Sequence, residues 1–188
     1  MQGITCDAES VLAILAGRKG RTTRVAGCLK PTYRVGRTYY VREQWRVRDC
    51  YRISNGGTSS ARVQYAANNL TVMVPVTAEQ VGQAENYTRA DGKWANPRFM
   101  PEWAARIEVT VTAVEVWRPQ EFDTPMIIAE GCPTSRDDPA WVAQGDEPKW
   151  WEARWRGIHA DDPVTGWDAD PVCWSYTFDW KLKGVDHE

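Results

Sequence analysis

The chain has 188 residues, of which 43% are hydrophobic and 26% charged, and this is the size and ordinary composition of one globular domain with a real core. No apolar run approaches the roughly 20 residues that span a bilayer, and Arg18 and Lys19 follow the N-terminal apolar stretch instead of preceding it, unlike in a signal peptide. We therefore expect one soluble, cytoplasmic domain over 1–188 with no membrane partner.

The cysteine content argues against a metal or disulfide framework. The five cysteines are an odd number, are widely spaced and form no CxxC pair, and only two histidines accompany them. A structural zinc site is therefore not expected. The pattern predicts reduced, mostly buried thiols, with no metal and no cofactor.

Charge is segregated along the chain although the net charge is only −2. Residues 18–52 contain eleven Lys and Arg against two acidic residues, and residues 119–188 contain six against fifteen. This asymmetry indicates a surface that faces a polyanion, opposite an acidic surface. The alternative is that the two segments pair with each other within the fold.

The first predicted element is a short helix. Asp7 can cap it, an apolar stripe runs from Val11 to Leu15, and Gly17 suits the position after its end. A loop rich in hydrogen-bond donors follows at 18–24. The β-branched and aromatic residues of 35–45, after the turn residue Gly36, then predict a strand.

Residues 52–98 are typical of an elaborated insertion. Residues 55–60 are a loop by composition. Residues 62–66 and 70–76 are expected to pair as a hairpin around Asn68 and Asn69.

The remaining chain alternates strand and helix signals. Residues 106–117 predict a long strand, and a one-residue slip in its apolar phase indicates a bulge or strong bend. Helices are expected from Thr124, as the cap, to Gly131, and from Pro148 to about Arg156, stopped by Gly157. The unbroken alternation of 172–182 predicts a last strand with one buried face. This order indicates an α+β fold around a small barrel or curled sheet.

Four stretches, taken together in their order and spacing, resemble the ASCH family of the PUA-like superfamily. They are VLAILAGRK at 11–19 with Thr22 and Arg24, the segment from Val35 through YVREQW at 40–45, MPEWAARI at 100–107 with its strand and AEG at 129–131, and WSYTFDW at 174–180. In detail they are similar to the ASCH proteins of bacteriophages and prophages, most of which have no assigned activity. The resemblance does not cover 52–98 or most of 133–170.

The resemblance implies a PUA-like small β-barrel with flanking helices, a cleft lined by the Gly-Arg-Lys loop, and RNA, single-stranded nucleic acid or a nucleobase as ligand. Arginine and lysine can hold phosphate or a base edge, and aromatic rings can stack on a base. The alternative role for each aromatic residue is barrel core. The candidate binding residues are Arg18, Lys19, Arg21, Arg24, Arg42, Tyr40, Trp45 and Trp103.

One ASCH branch removes the acetyl group from N4-acetylcytidine with a Lys, a Thr three residues later and a distant Glu. Lys19, Thr22 and Glu130 match this set. The lysine would take the proton of the Thr hydroxyl, the hydroxyl oxygen would attack the amide carbonyl, and Glu130 would pass the proton to the leaving amine. The branch has a Thr directly after the Lys where this chain has Gly20. The alternative roles are ligand binding for Lys19 and Thr22, and an ion pair with Arg24 or Arg106 for Glu130.

Three functions of different classes follow. The first is a binding module for RNA or a modified nucleobase, and the second is an amidohydrolase acting on N4-acylated cytosine nucleosides. The third is a phage protein that binds a host protein through its acidic half, where seven of the eleven tryptophans lie at or after Trp141.

Overall fold

A computed structural model describes residues 2–27, 30–52, 58–88, 93–134, 146–160 and 162–184. Cys28, residues 55–57 of the loop predicted at 55–60, Trp141 and His187 lie outside these ranges. The chain divides into two compact units. The first unit contains Met1–Leu12, Tyr39–Glu108 and Lys181–Glu188, and the second contains Ala13–Thr38 and Val109–Trp180. The expectation of a single domain stays a prediction.

The described residues form eight strands and four α-helices, with short 3-10 turns between them. The helices are α1 (Ala8–Leu15), α2 (Ala78–Asn86), α3 (Thr124–Ala129) and α4 (Glu147–His159). The strands are β1 (Gly3–Thr5), β2 (Arg21–Val25), β3 (Thr38–Arg42), β4 (Trp45–Tyr51), β5 (Ser59–Tyr65), β6 (Thr71–Val76), β7 (Ile107–Trp117) and β8 (Cys173–Leu182).

The first unit contains a parallel pair, β1 with β3, and an antiparallel sheet in the order β4-β5-β6. The inward residues of this sheet, such as Val47, Val63 and Tyr65, are 0–1% exposed. They join α2 and the segment 100–105 in one apolar core. The core can form because side chains alternate between the two faces of each strand.

The second unit contains β7, β8 and β2 as neighbours in that order. β2 runs antiparallel to β8, with Thr22 opposite Tyr176 and Thr23 opposite Ser175. Its apolar cluster combines Phe122 and Ile127 with Trp151 and Trp155 of α4. The Phe122 and Trp151 rings are stacked with centroids 5.1 Å apart. This cluster supports α3, which ends beside the polar site described below.

The helix and the hairpin predicted from neighbouring residues are confirmed. Asp7 caps α1 by accepting the Ser10 amide at 2.8 Å, and Gly17 follows the helix with φ +73. The predicted hairpin is the β5–β6 pair, which turns at Asn69 with φ 56. The described ranges also confirm a mixed α+β fold. No closed barrel is detected among their strands, so the PUA-like barrel stays a prediction.

Several predicted boundaries are wrong, for local physical reasons. The cap of α3 is Asp123, not Thr124. The helix predicted to stop at Gly157 continues to His159, because one interior glycine costs only about 1 kcal/mol and Trp151 and Trp155 anchor the helix.

Several elements were not predicted from the sequence. Strand β1 had no sequence signal, and residues 21–24, expected to lie in a loop, belong to strand β2. The segment read as one strand over 35–45 gives β3 and then the start of β4. Helix α2 buries only Val81 and Ala84, so its apolar stripe is weak. A register shift lies in β4, between Val47 and Asp49, and the bulge expected in β7 stays a prediction.

The four described cysteines, Cys6, Cys50, Cys132 and Cys173, are free thiols, and three of them are buried. None of the helices built from described residues combines the length and apolar character needed to cross a bilayer. Within the same residues, no three His, Cys, Asp or Glu side chains are grouped so as to hold a metal ion.

The capping box of α2 gives a first prediction. The Thr77 hydroxyl accepts the Gln80 amide, and the Gln80 side chain accepts the Thr77 amide at 2.9 Å. Thr77→Ala should lower the free energy of unfolding by about 1 kcal/mol, measured by urea denaturation. Glu79→Ala, in the same turn but outside the box, is the control and should change it by less than about 0.5 kcal/mol. Equal losses in both variants would show that the cap has no separate role.

Candidate functional site

The loop after α1 is held by backbone hydrogen bonds that place Lys19 in the interior of the second unit. The amides of Arg18 and Lys19 both donate to the Ala13 carbonyl, at 2.9 and 3.1 Å. The Gly20 amide donates to the Ala129 carbonyl at 3.0 Å, which fixes the loop to the C-terminal end of α3. Lys19 is consequently only 4% exposed.

Lys19 and Glu130 form a buried ion pair at the end of α3. The Lys19 ammonium Nζ donates to Glu130 Oε2 and to the Glu130 carbonyl oxygen, both at 2.6 Å. Each side chain is 5% exposed. A charge buried this deeply requires an opposite charge and hydrogen bonds to offset its desolvation. The pair provides both.

Gly131 allows this close approach. Its φ is +103, a conformation that L side chains rarely adopt, and a Cβ there would lie 3.0 Å from the Cβ of Ala13 and 3.4 Å from that of Lys19. Glycine at this position therefore lets α3 end directly against the Lys19 loop.

The second oxygen of the Glu130 carboxylate is bound by a hydroxyl of β2. Thr23 Oγ1 donates to Glu130 Oε1 at 2.6 Å. Thr23 Oγ1 and Ser175 Oγ are 3.2 Å apart, and Arg21 Nη1 donates to Ser175 Oγ at 3.0 Å. Because Thr23 has one hydroxyl proton and gives it to the carboxylate, Ser175 supplies the proton of their contact. A continuous chain of hydrogen bonds thus runs from Arg21 to Lys19.

The cations of residues 18–24 are bound within the protein. Arg21 Nη2 contacts Glu115 Oε2 at 2.7 Å, and the Arg18 guanidinium donates to the Gly131 carbonyl at 2.8 Å. Arg24 Nη1 donates to the Thr23 carbonyl at 3.0 Å. The alternative that the basic and acidic segments pair within the fold accounts for Lys19, whose partner Glu130 lies in 119–188. Arg21 also has a carboxylate partner, but Glu115 lies before that segment.

The structure brings together two of the three predicted catalytic residues. Lys19 and Glu130 are in direct contact, so Glu130 pairs with neither Arg24 nor Arg106, the partners considered from sequence. Thr22 is 2% exposed and lies one residue before Thr23 in β2. Successive strand residues point to opposite faces, so the Thr22 side chain faces away from the side on which Thr23 binds Glu130.

Thr23, Ser175 and Glu115 were missed by the sequence reasoning, although one signal was available. The last strand was expected to have one buried face, yet Ser175 and Tyr176, on opposite faces, are both 1% exposed. A buried serine opposite a Thr of the neighbouring strand is a mark of a polar interior site. That pairing becomes visible only when the register of β2 and β8 is known.

The other predicted binding residues, Arg42, Tyr40, Trp45 and Trp103, belong to the first unit. Trp45 is 0% exposed, and its ring meets that of Trp103 edge-on at 6.0 Å. Tyr40 and Trp103 are also buried, and the Arg42 guanidinium lies over the Tyr40 ring at 5.4 Å. The structure thus places these aromatic side chains in the core, which is the alternative that the sequence left open.

Arg106 forms a separate buried pair in the first unit. Its Nε and Nη2 each donate to a Glu43 carboxylate oxygen at 2.8 Å, and its guanidinium lies 4.2 Å from the Tyr65 ring centroid. Burial raises the pKa of Glu43, while the hydrogen bonds and charge of Arg106 act to lower it. This bidentate pair connects the start of the β4 region to the start of β7.

Comparisons with known proteins leave the family unassigned. No family model matches the chain, and no curated protein matches it. A solved structure, that of protein EF3133 from Enterococcus faecalis V583, described as family-model DUF984, is similar over 100% of this chain and 86% of its own, with 9% identity and a TM-score of 0.47. A similarity this weak supports no statement about function.

The Lys19–Glu130 pair gives a second prediction. Lys19→Met and Glu130→Gln each leave one buried charge without its counter-charge and should each lower the free energy of unfolding by about 3–5 kcal/mol. The double variant removes both charges and should lose less than the sum of the two, with a coupling of about 0.5–3 kcal/mol in urea denaturation.

The matched control is Lys149→Met, because Lys149 pairs with Asp146 at the surface and is 82% exposed. We expect a change below about 0.5 kcal/mol for this variant. Strictly additive losses in the Lys19 and Glu130 variants would contradict an interaction between these two side chains.

His159 gives a third prediction, on pH. Its ring stacks on Trp155 with centroids 4.4 Å apart, and burial together with the charge of Arg24 lowers its pKa, opposed by Asp162. The unfolded chain therefore binds this proton more readily than the folded one. The contribution of neutral His159 to the free energy of unfolding is complete above about pH 6.5, the pKa in the unfolded chain. It is lost as the pH falls through the lower pKa of the folded protein.

Thermal unfolding of His159→Asn at pH 7.5 and 5.5 tests this. The variant should lose less stability than the parent between the two pH values. An identical pH dependence in both proteins would show that His159 does not contribute to it.

Proposed function

We propose that this chain is an ASCH-type protein with a PUA-like fold that binds a nucleobase, presented as a modified nucleoside or exposed in RNA or single-stranded nucleic acid. The observation that carries the proposal is the buried Lys19–Glu130 pair, whose carboxylate also binds Thr23. Such a pair is often no more stabilising than apolar residues of the same volume. Its presence in a fixed polar network favours a role in recognition or chemistry.

The network suits a base edge better than a phosphate. A base edge offers both donors and acceptors, and the network joins ammonium, carboxylate, hydroxyl and guanidinium groups in series through hydrogen bonds. A phosphate would face the carboxylates Glu115 and Glu130 as well as the cations. We therefore expect binding with a shallow salt dependence, since few counterions are released when the cations already have protein partners.

An amidohydrolase acting on N4-acetylcytidine-like nucleosides is the second candidate, and the short Thr23–Glu130 hydrogen bond favours it. Glu130 would take the Thr23 hydroxyl proton as the oxygen attacks the acetyl carbonyl. It would then return the proton to the N4 nitrogen as the C–N bond breaks, releasing cytidine and leaving an acetyl ester on Thr23. Water would hydrolyse this ester to acetate and restore the hydroxyl, with the Lys19 ammonium holding the carboxylate in position.

A host protein as partner of the acidic, Trp-rich half stays a third prediction. In the described part of that half, Trp151 and Trp155 are 4% and 2% exposed and pack inside the second unit. They are therefore not surface anchors for a partner, and no contact of the described residues favours this function over the first two.

The fourth prediction separates the candidate functions with two neighbouring isosteric variants. The purified chain, Thr23→Val and Thr22→Val are each incubated with N4-acetylcytidine, and cytidine is measured by chromatography. Binding of cytidine and N4-acetylcytidine is followed by calorimetry on the same samples. Valine keeps the shape of threonine and removes only the hydroxyl.

Release of cytidine by the parent and by Thr22→Val, with a loss of at least about 100-fold in Thr23→Val, would establish an amidohydrolase that uses Thr23. Binding without release, weakened about tenfold in Thr23→Val, would establish the binding protein. A loss of cytidine release or of binding that is confined to Thr22→Val would assign the role to Thr22, as expected from the sequence. Neither binding nor release in the parent would refute both candidates.

A further inference from the structure

A second candidate site lies in the first unit and is independent of the function proposed above. A half-open cavity of about 410 Å³ lies there, a volume within the range of small-molecule sites. Its walls are mainly apolar and aromatic, and its charged lining residues are Arg106 and Lys183. The remaining lining residues are Tyr65, Val72, Met73, Val74, Pro75, Gln80, Trp103, Ala105 and Gly184.

We propose that this cavity binds a small organic carboxylate with an apolar body. The carboxylate would contact Arg106 and Lys183, and the apolar body would lie against Val72, Val74 and Trp103.

Arg106 is held rigidly and keeps donors for a ligand. A guanidinium has five N–H groups. Two donate to Glu43, and Nη1 donates to Asn68 Oδ1 at 3.1 Å. Among the described residues, one N–H on each terminal nitrogen therefore has no protein acceptor. Because the Glu43 pair and the Tyr65 ring fix the plane of the guanidinium, these donors are oriented before a ligand arrives.

Lys183 supplies the uncompensated charge. Its amide donates to the Arg106 carbonyl at 2.9 Å, and its ammonium donates to the Glu102 carbonyl at 2.7 Å. These bonds leave two ammonium protons. Within the described part of the chain, Lys183 has no carboxylate partner and the cavity lining contains no Asp or Glu. With Arg106 balanced by Glu43, the site carries one net positive charge.

A single net positive charge beside apolar walls favours a singly charged anion. A carboxylate carries one negative charge and two acceptor oxygens, which matches the spare donors of Arg106 and Lys183. A phosphate would bring more charge than the site balances. The walls provide apolar surface for a compact hydrocarbon or aromatic body.

The fifth prediction tests the carboxylate directly. Calorimetry compares 4-phenylbutyrate with its neutral amide, 4-phenylbutyramide, as ligands of the full chain. We expect saturable binding of the carboxylate and about tenfold weaker binding of the amide. Lys183→Met should weaken carboxylate binding about tenfold, because it removes one charge-assisted contact, and should leave amide binding unchanged.

The matched control is Lys181→Met, because Lys181 lies two residues earlier, pairs with Glu108 at 3.7 Å and does not line the cavity. It should bind both ligands like the parent. Equal affinity of the parent for acid and amide, no binding at millimolar concentration, or the same loss in Lys181→Met would each overturn the proposal.

A second variant locates the site. Val72 lines the cavity and is 37% exposed, so Val72→Phe should fill part of the volume without disturbing the core. We expect loss of binding of both ligands while the thermal unfolding midpoint changes by only a few degrees. Unchanged binding in this variant would place the ligand elsewhere and refute the proposed site.

Discussion

The burial of Lys19 opposite Glu130 is the constraint on which the second unit's polar interior depends. Two charges removed from water destabilise the fold unless each finds its partner and the remaining polar atoms are satisfied. The chain meets this demand from separate stretches. Gly131 permits the approach, Gly20 ties the loop to α3, and Thr23 binds the second carboxylate oxygen. The loop, β2 and the end of α3 are thus linked through one carboxylate.

The two buried ion pairs differ in the groups that bind their carboxylate oxygens. In the first unit, both Glu43 oxygens accept from Arg106, so that carboxylate is engaged by a cation that cannot lose its proton. In the second unit, Glu130 divides its oxygens between the Lys19 ammonium and the Thr23 hydroxyl. A carboxylate that shares a proton with a hydroxyl can act as a base, whereas one clamped by a guanidinium fixes geometry. The proposed chemistry therefore uses the carboxylate of the second unit, and the proposed carboxylate site uses the spare donors of Arg106 in the first.

The sequence predicted the elements that are stabilised by contacts between neighbouring residues. Several elements and side-chain pairings that depend on long-range contacts were not predicted. The cap of α1 and the β5–β6 hairpin follow from residues close in sequence. Helix α2 was missed because it buries only two side chains. The family resemblance grouped Lys19 with Glu130 but selected Thr22 as the hydroxyl, because a motif does not reveal which strand face a residue occupies. Thr23 contacts Glu130 107 residues away, and only the fold makes that pairing visible.

The cations of residues 18–24 have partners within the folded protein. In the sequence, the run of cations indicates a surface that binds a polyanion. In the fold, Lys19 and Arg21 have carboxylate partners from residues 94 to 111 positions away, and Arg18 and Arg24 donate to backbone carbonyls. Under the proposed function, a ligand at this site would therefore meet a nearly balanced set of donors and acceptors. Hydrogen-bond pattern should then decide which ligand binds, and this favours a neutral base edge over a phosphate chain.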